Sequence, residues 1–351
     1  MKSKVTVLTT VYNGLPYLKD AIESTLNQTY KDFEYLIIDD ASPDPEVLDL
    51  IESYNDPRIK LIKNKLNLGV SETINKALSL IETPFVVRLD QDDISLPNRI
   101  HNQITYLENN PEVSIVCSWE HQIDSEGKMI RDWKTSIDNY GEFLGPVLLG
   151  ICPIWHPSIA FKRESVINSG GFKKEYVRAE DFEMTARLAI KRYEASIVPE
   201  FDLLQRQHQA SQSQEFEQEQ KLVTNQIQLE AISNFIDNHS ARKISYLLRL
   251  EEDPKLPFTK ETLLELKEIL NELFKNILTQ QKLSELEFIS LKKIIFKRVG
   301  YGVRIMHYYS FLPERIFMVA FYILSPLFLT RFHKMLSKLY NNMLSIKYKV
   351  K

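Results

Sequence analysis

The chain has 351 residues, 44% of them hydrophobic, which is ample for a sizeable core and more than one average domain holds. Twelve of its 44 Lys and Arg but one of its 47 Asp and Glu lie from Ile289 onward, so the net charge of −3 divides into a tail of +11 behind 288 residues at −14. An acidic body of that size repels nucleic-acid phosphate, and the two cysteines, Cys117 and Cys152, offer neither a disulfide framework nor metal-ligand spacing, which points to a reducing, cytoplasmic setting.

The opening MKSKVTVLTTVYNG has a basic start, but its apolar stretch is short and lacks a small-residue cleavage site, so it reads as a strand and not as a leader. Tyr17, Leu18, Ala21, Ile22, Thr25 and Leu26 then recur at helical spacing, and FEYLIIDD returns to a β-rich run. Val47, Leu48 and Ile51 mark a second helix, RIKLIKN a third strand, and Ser71 the N-cap of a helix reaching Leu80. PFVVRLD makes a fourth strand, Asn98 to Glu108 a helix, and VSIVCSW a fifth strand. This alternation predicts an α/β fold with a mostly parallel sheet covered by helices on both faces.

In such sheets ligands bind beyond the carboxyl ends of the strands. Here TTVYN follows strand one, DDAS strand two and DQDD strand four, so three strand ends direct hydroxyl and acidic groups to one edge. From Glu215 the pattern changes to long helices, with Leu229, Ile232, Phe235 and Ile236 in one and Leu266, Ile269, Leu270, Leu273, Phe274, Ile277 and Leu278 in another, separated by the linker EEDPKLPFTK. The segment QRQHQASQSQEFEQEQ is Gln-rich and reads as partly irregular. Residues 316–330, IFMVAFYILSPLFLT, carry no charge and are bracketed by Arg315 and Arg331. They fall short of the roughly 20 residues needed to span a bilayer and contain Pro326, so they suit a helix lying in the membrane interface beside anionic head groups, or else a buried helix pair. The predicted organisation is 1–214 as an α/β domain, 215–288 as a helical region and 289–351 as basic, apolar, membrane-associating helices.

The stretch VVRLDQDD drives an apolar strand into Asp90, Asp92 and Asp93, like charges whose clustering needs a counter-charge, for which a metal ion is one candidate and plain solvent the other. Asp90 and Asp92 flank one residue, a spacing that lets two carboxylates meet one hard cation, Mn2+ or Mg2+, which would take further oxygens from a ligand diphosphate. At these residues the sequence resembles the inverting glycosyltransferases of family 2, which have the GT-A fold. The resemblance rests on VTVLTTVYNGLPYLKDAIESTLNQTYKDFEYLIIDDAS, NLGVSETINKAL, RLDQDDISLPNRI, HPSIAFKRE, GGF and RAEDFEMTARL, in the family's order across about residues 3–213.

The resemblance implies that Thr10, Tyr12 and Asp40 hold the nucleotide base, Asp40 accepting the uracil imino proton, with Asn67 and Arg88 also on the donor side. Asp90 and Asp92 correspond to the D-x-D pair, Asp92 as the direct metal ligand and Asp90 nearer the donor's ribose or sugar. Asp93 is open between a catalytic task and capping the next helix, and Arg88 between the diphosphate and a structural ion pair. RAEDFEMTARL places Asp181 as the base that deprotonates the acceptor hydroxyl, with Glu180 on the acceptor side. A helix N-terminus lowers the pKa of such an aspartate and a dry pocket raises it. His156 is open between acceptor-site and structural duty. LLQRQH resembles the family's R-x-H, which would set Arg206 over the donor and His208 on the metal or diphosphate, although its Gln-rich surroundings depart from the family pattern.

The Q-x-x-R-W motif of processive synthases is not present in the sequence, so the resemblance implies addition of one or a few sugars. The expected partners are a UDP-sugar, a cell-envelope glycan or lipid-linked acceptor, and an anionic membrane surface met by the tail, with the protein peripheral on the cytoplasmic face. The competing readings are a non-catalytic sugar-nucleotide or carbohydrate-binding protein and a sugar nucleotidyltransferase. The latter would want a Gly-rich phosphate loop where TTVYNGLPYLKD has only Gly14.

Overall fold

The computed structural model describes residues 3–208, 217–248 and 260–310. The apolar run 316–330, the tail from 311 onward, the Gln-rich stretch 209–216 and the linker up to Thr259 lie outside the described residues.

The β-α alternation is present as read. Strands β1 (Val5–Val11), β2 (Phe33–Asp39), β3 (Ile59–Lys63) and β4 (Phe85–Arg88) run parallel in the order β3-β2-β1-β4. They are linked through α1 (Leu18–Leu26), α2 (Pro45–Glu52) and α3 (Val70–Leu80), and α4 (Arg99–Asn109) follows. The central strand β1 is buried almost throughout, so its apolar residues continue on both faces instead of alternating. Helix α1 buries Leu18, Ala21, Ile22 and Thr25 along one stripe, and α2 starts where Asp44 accepts the N–H of Glu46 at 2.9 Å ahead of Pro45. Helix α3 begins two residues earlier than read: Gly69, at φ +81°, is its N-cap, and Ser71 lies buried within the first turn. The turn is shaped by Asp40, whose carboxylate takes the N–H groups of Leu68 and Gly69 and so bends the chain at a glycine.

Beyond β4 the sheet is mixed. Its ninefold strand set, among the described residues, also contains β5 (Ile94–Ser95), β6 (Val113–Ile123), β7 (Met129–Trp133), β8 (Ala160–Lys162) and β9 (Glu194–Arg206). The predicted fifth strand, β6, is not the neighbour of β4, because β8 inserts antiparallel between them. β6 then pairs parallel with β9 and antiparallel with β7, while β5 closes the edge against β9. β6 runs on to Ile123 through the polar residues Glu120, His121 and Gln122, which obscure its period in the sequence. The core joins Val7, Leu18, Ile22, Tyr35, Ile37, Val87, Ile100 and Ile104 between the sheet, α1 and α4.

Helices α5 (Tyr140–Leu148), α6 (Arg163–Ser169), α7 (Glu180–Ile190) and α8 (Glu217–Ser233) complete the first of two compact units, Met1–Ala231 and Ile232–Lys351. The first unit runs past residue 214 because α8 is tethered to it: Gln228 donates to the Leu148 carbonyl at 3.1 Å, and the Tyr176 hydroxyl donates to Glu230 at 2.6 Å. The second unit contains α9 (Asn238–Leu248), α10 (Lys260–Gln281) and α11 (Glu285–Ser310). Along α10 the residues Leu266, Ile269, Leu270, Leu273, Phe274 and Ile277 are buried, whereas Leu278 is exposed. Among the described residues no helix is long and apolar enough to cross a membrane.

Candidate active site

The carboxyl ends of β1, β2 and β4 meet at one edge of the sheet, as their parallel registers require. At the β1 end Thr10 stands in register with Ile38, and Tyr12 is exposed while its backbone is held on both sides by Gln91. The Tyr12 N–H donates to Gln91 Oε1 at 2.9 Å, and Gln91 Nε2 donates to the Tyr12 carbonyl at 3.1 Å. The residue that separates Asp90 from Asp92 thus fastens the acidic loop to the first strand end. At the β2 end Asp40 is buried and accepts from Asn64 Nδ2 at 2.6 Å, Leu68 N at 3.0 Å and Gly69 N at 2.9 Å. Asn67 accepts from the Gly69 N–H at 3.0 Å, so Asp40 and Asn67 both shape the β3–α3 loop. Two carboxylate oxygens offer about four acceptor positions, so Asp40 retains room for one more donor.

At the β4 end Arg88 bridges two predicted site residues: its guanidinium pairs with Asp90 Oδ1 at 2.7 Å and lies 2.5 Å from His156 Nδ1. Burial first, and the Arg88 charge second, hold His156 well below the ordinary imidazole range, so it is neutral and Nδ1 accepts from Arg88. Beside them lies Arg99, fully buried, which donates to the backbone carbonyls of Arg88 and Pro157 and to Ser95 Oγ. Burial lowers Arg99 to about 10, against the opposing pull of Asp202, Asp93, Asp90 and Glu120, so it stays cationic at neutral pH. Asp93 is no helix cap, because α4 starts only at Arg99. Its carboxyl accepts the Arg206 N–H at 2.8 Å and ties the acidic loop to the end of β9; burial, then the charges of Asp92 and Asp90, raise it well above the usual carboxylate range.

Asp92 and His208, 116 residues apart, come together at 2.8 Å between Oδ2 and Nε2. Arg206 is engaged by its neighbours at the end of β9. It is 5% exposed and engages Asp20 at 2.9 Å, the carbonyls of Asp92 and Ser125 at 3.1 and 3.3 Å, and the face of Tyr17 at 4.5 Å. Among the described residues no three His, Cys, Asp or Glu side chains converge as a metal site. The Asp92–His208 pair nevertheless fits a divalent cation chemically: one carboxylate and one imidazole nitrogen, already adjacent, form an N,O donor set of the kind manganese accepts. Asp90 pairs with Arg88 beside them.

Glu180 and Asp181 occupy the first turn of α7, where Asp181 Oδ1 accepts the Phe182 N–H at 2.7 Å. Burial outweighs the helix N-terminus: it raises Asp181 above the usual range and, with the Asp181 charge next, pushes Glu180 up to about 7. Arg88 and Asp90 act on both carboxyls, so the pair shares one electrostatic environment with the β4 end. Three contributors were not identified from sequence. Gln91 sits half-buried in the turn inside the D-Q-D spacing, whereas Arg99, a cation on the apolar stripe of α4, and Glu120, an acid within a strand, are polar residues at positions whose period predicts burial. Glu120 is fully buried, with neither carboxyl oxygen hydrogen-bonded, and burial pushes it up to about 8.

Residues 6–170 match Glycosyl transferase family 2. The chain is 32% identical over 203 residues to an uncharacterized glycosyltransferase of Methanocaldococcus jannaschii, covering 57% of this chain and 69% of that protein. It is 27% identical over 187 residues to the O-antigen biosynthesis glycosyltransferase WbnJ of Escherichia coli, covering 52% and 71% respectively. Its fold is similar to that of S. aureus TarS, solved in complex with UDP-GlcNAc, with a TM-score of 0.56, 14% identity and coverage of 88% of this chain and 92% of that one. The fold and the carboxylate-lined strand ends define a GT-A glycosyltransferase. The chain belongs to glycosyl transferase family 2.

Proposed function

We propose that this glycosyltransferase is metal-dependent and inverting, and that it moves a hexose or N-acetylhexosamine from a UDP-sugar to a hydroxyl of a cell-envelope glycan or lipid-linked oligosaccharide. The observation that carries the reading is the disposition of two acid groups about Arg88: Asp90 at the β4 end, and the Glu180–Asp181 pair on α7 within its electrostatic reach. One side suits a donor, the other an acceptor. Asp181 removes the proton from the acceptor hydroxyl, the alkoxide oxygen bonds to the anomeric carbon from the face opposite the diphosphate, and the bond to the diphosphate oxygen breaks, releasing UDP with inversion. Its raised pKa makes Asp181 a stronger base than an exposed aspartate. Exposed Tyr12 supplies an aromatic face for the base, and Asp40, with Asn67 shaping its loop, an acceptor for the uracil imino proton. Asp92 and His208, with Asp90, would hold the Mn2+ or Mg2+ ion, which supplies charge neutralisation for the departing diphosphate.

The glycan acceptor is supported by the similarity to an O-antigen biosynthesis enzyme, and attachment to the inner face of the cytoplasmic membrane by the basic tail with its apolar run. The test is nucleotide release from UDP-, GDP-, dTDP- and CMP-sugars with manganese, magnesium or chelator. Release of UDP alone, abolished by chelator and by Asp92→Ala, is the expected result. Undiminished release by Asp92→Ala would remove the metal assignment, and release of another nucleotide would remove UDP.

A further inference from the structure

Outside the groups already assigned, the most unusual chemistry in the first unit is a small cluster around Trp155. The indole rings of Trp133, at the end of β7, and Trp155, next to His156, pack with centroids 4.9 Å apart and planes inclined at 30°. Both side chains remain half-buried. Beside them is Glu120, which stands opposite Trp133 in the β6–β7 register. Neither Glu120 oxygen nor the Trp155 Nε1 makes a hydrogen bond of good geometry, although all three atoms are buried and the Trp155 indole and Gln122 lie close enough to draw the Glu120 pKa down. Buried polar groups without well-formed hydrogen bonds are destabilising, so this cluster calls for an explanation beyond packing.

Position supplies one. The segment that carries Trp155 runs from Cys152, which feels the charge of Asp181, to His156, which contacts Arg88. Trp155 therefore sits on the stretch of chain between the acceptor-activating carboxylate and the strand end assigned to the donor. A pyranose ring has an apolar C–H face and a rim of hydroxyls, each both donor and acceptor. Paired indole rings offer an apolar face, and a carboxyl with an indole N–H beside it offers one acceptor and one donor.

We propose that Trp133 and Trp155 form the platform that receives the sugar ring of the acceptor, with the buried Glu120 as a positioning residue that fixes the Trp155 indole. The proposal rests on the glycosyl-transfer reading above and adds to it that the acceptor presents a pyranose, and not only a lipid phosphate, next to Asp181. Glu120 is protonated at neutral pH, because burial outweighs the cation Arg99 and the neighbouring Trp155 N–H and Gln122, while Asp90 adds to the upward shift. A neutral carboxyl can both donate and accept, which an ionised one cannot. The groups acting on it come from α4 (Arg99), from the β4–β5 loop (Asp90 and Asp93), from the Trp155 turn and from its own strand (Cys117 and Gln122).

The experiment uses the full chain with UDP-sugar and a panel of methyl and octyl β-glycosides of glucose, galactose and N-acetylglucosamine as acceptor probes. Two readouts are taken: the separate KM values for donor and glycoside, and intrinsic fluorescence, to which only Trp119, Trp133 and Trp155 contribute. Expected is a glycoside-dependent fluorescence change that Trp133→Phe and Trp155→Phe each diminish, with a KM for glycoside raised about tenfold and a donor KM that moves far less. Glu120→Gln, which keeps shape but loses the acid, should raise the glycoside KM in the same direction. Folded variants whose glycoside KM and fluorescence response match the wild type, or whose donor KM rises instead, overturn the proposal. A wild type that releases nucleotide yet shows neither a fluorescence change nor acceleration with any glycoside overturns it too. A wild type that releases no nucleotide from any sugar nucleotide overturns the underlying donor reading, and so the two failures are told apart.

Discussion

Asp181 illustrates how one side chain is tuned by opposing fields. Its place in the first turn of α7 stabilises the carboxylate, and its local bond from Phe182 N–H does the same, yet enclosure prevails and the group is raised. Replacement by Asn preserves shape and removes the base, so Asp181→Asn should lower kcat by on the order of a hundred- to ten-thousandfold while donor affinity, measured by calorimetry, stays near wild type. A variant with kcat within a few-fold of wild type would move the base elsewhere, with Glu180 the first candidate. Glu120 makes a second prediction through stability. Its folded-state pKa of about 8 lies above the unfolded value of 4.5, so ionisation favours the unfolded chain between those limits and stability declines as pH rises through that window. Glu120→Gln has no such loss. Its unfolding free energy should match wild type near pH 4 and exceed it at pH 8 by an amount on the order of a few kcal/mol, as read from urea titrations at the two pH values. Parallel pH profiles for the two proteins would place Glu120 in contact with water.

At the scale of elements, the site depends on loops whose geometry is set by contacts far along the chain. Asn75 of α3 clamps the backbone of Phe172, donating to its carbonyl at 2.6 Å and accepting its N–H at 2.8 Å. That approach is possible because the preceding residue is Gly171, at φ +69°, where an added Cβ would stand 2.6 Å from Asn75 Oδ1. The second glycine of GGF is therefore required by a close contact as well as by backbone conformation. Gly171→Ala should destabilise the first unit by about 1–3 kcal/mol and lower its melting temperature by several degrees, because both the strain and the broken clamp act in the same direction. An unchanged melting temperature would mean that α3 gives way at no cost. Elsewhere Arg206 and Asp93 hold the acidic loop against the end of β9, so a strand that enters the sheet last determines where Asp92 stands.

For the whole molecule, the dominant feature is the charge division, −14 before Ile289 and +11 from there on. An anionic surface attracts a segment of +11 and repels one of −14. The full chain should sediment with vesicles containing anionic lipid and not with purely zwitterionic ones, and the binding should weaken several-fold on moving from about 0.05 to 0.5 M salt as screening shortens the Debye length. Binding to neither vesicle type would assign the tail to packing within the protein.

Much of this was legible in the linear sequence because it is local. Burial period identified β1 to β4 and the helices between them, and the polar residues that follow each strand located the functional edge, since a parallel sheet places all those ends together. The acidic D-Q-D loop belongs to the same class, and the Asp181 helix start was implied by the family resemblance. What only the tertiary structure decided is which of those residues meet. The insertion of β8 between β4 and β6 brings His156 onto Arg88, and the return of β9 brings His208 to Asp92 and Arg206 to Asp93. The Arg99 and Glu120 side chains also gain their meaning there, as a buried cation and a buried acid held neutral among carboxylates. The physical reason is one of range. Periodicity reports whether a residue faces the core, whereas the partner it finds there depends on strand order, which is set by packing between segments a hundred or more residues apart.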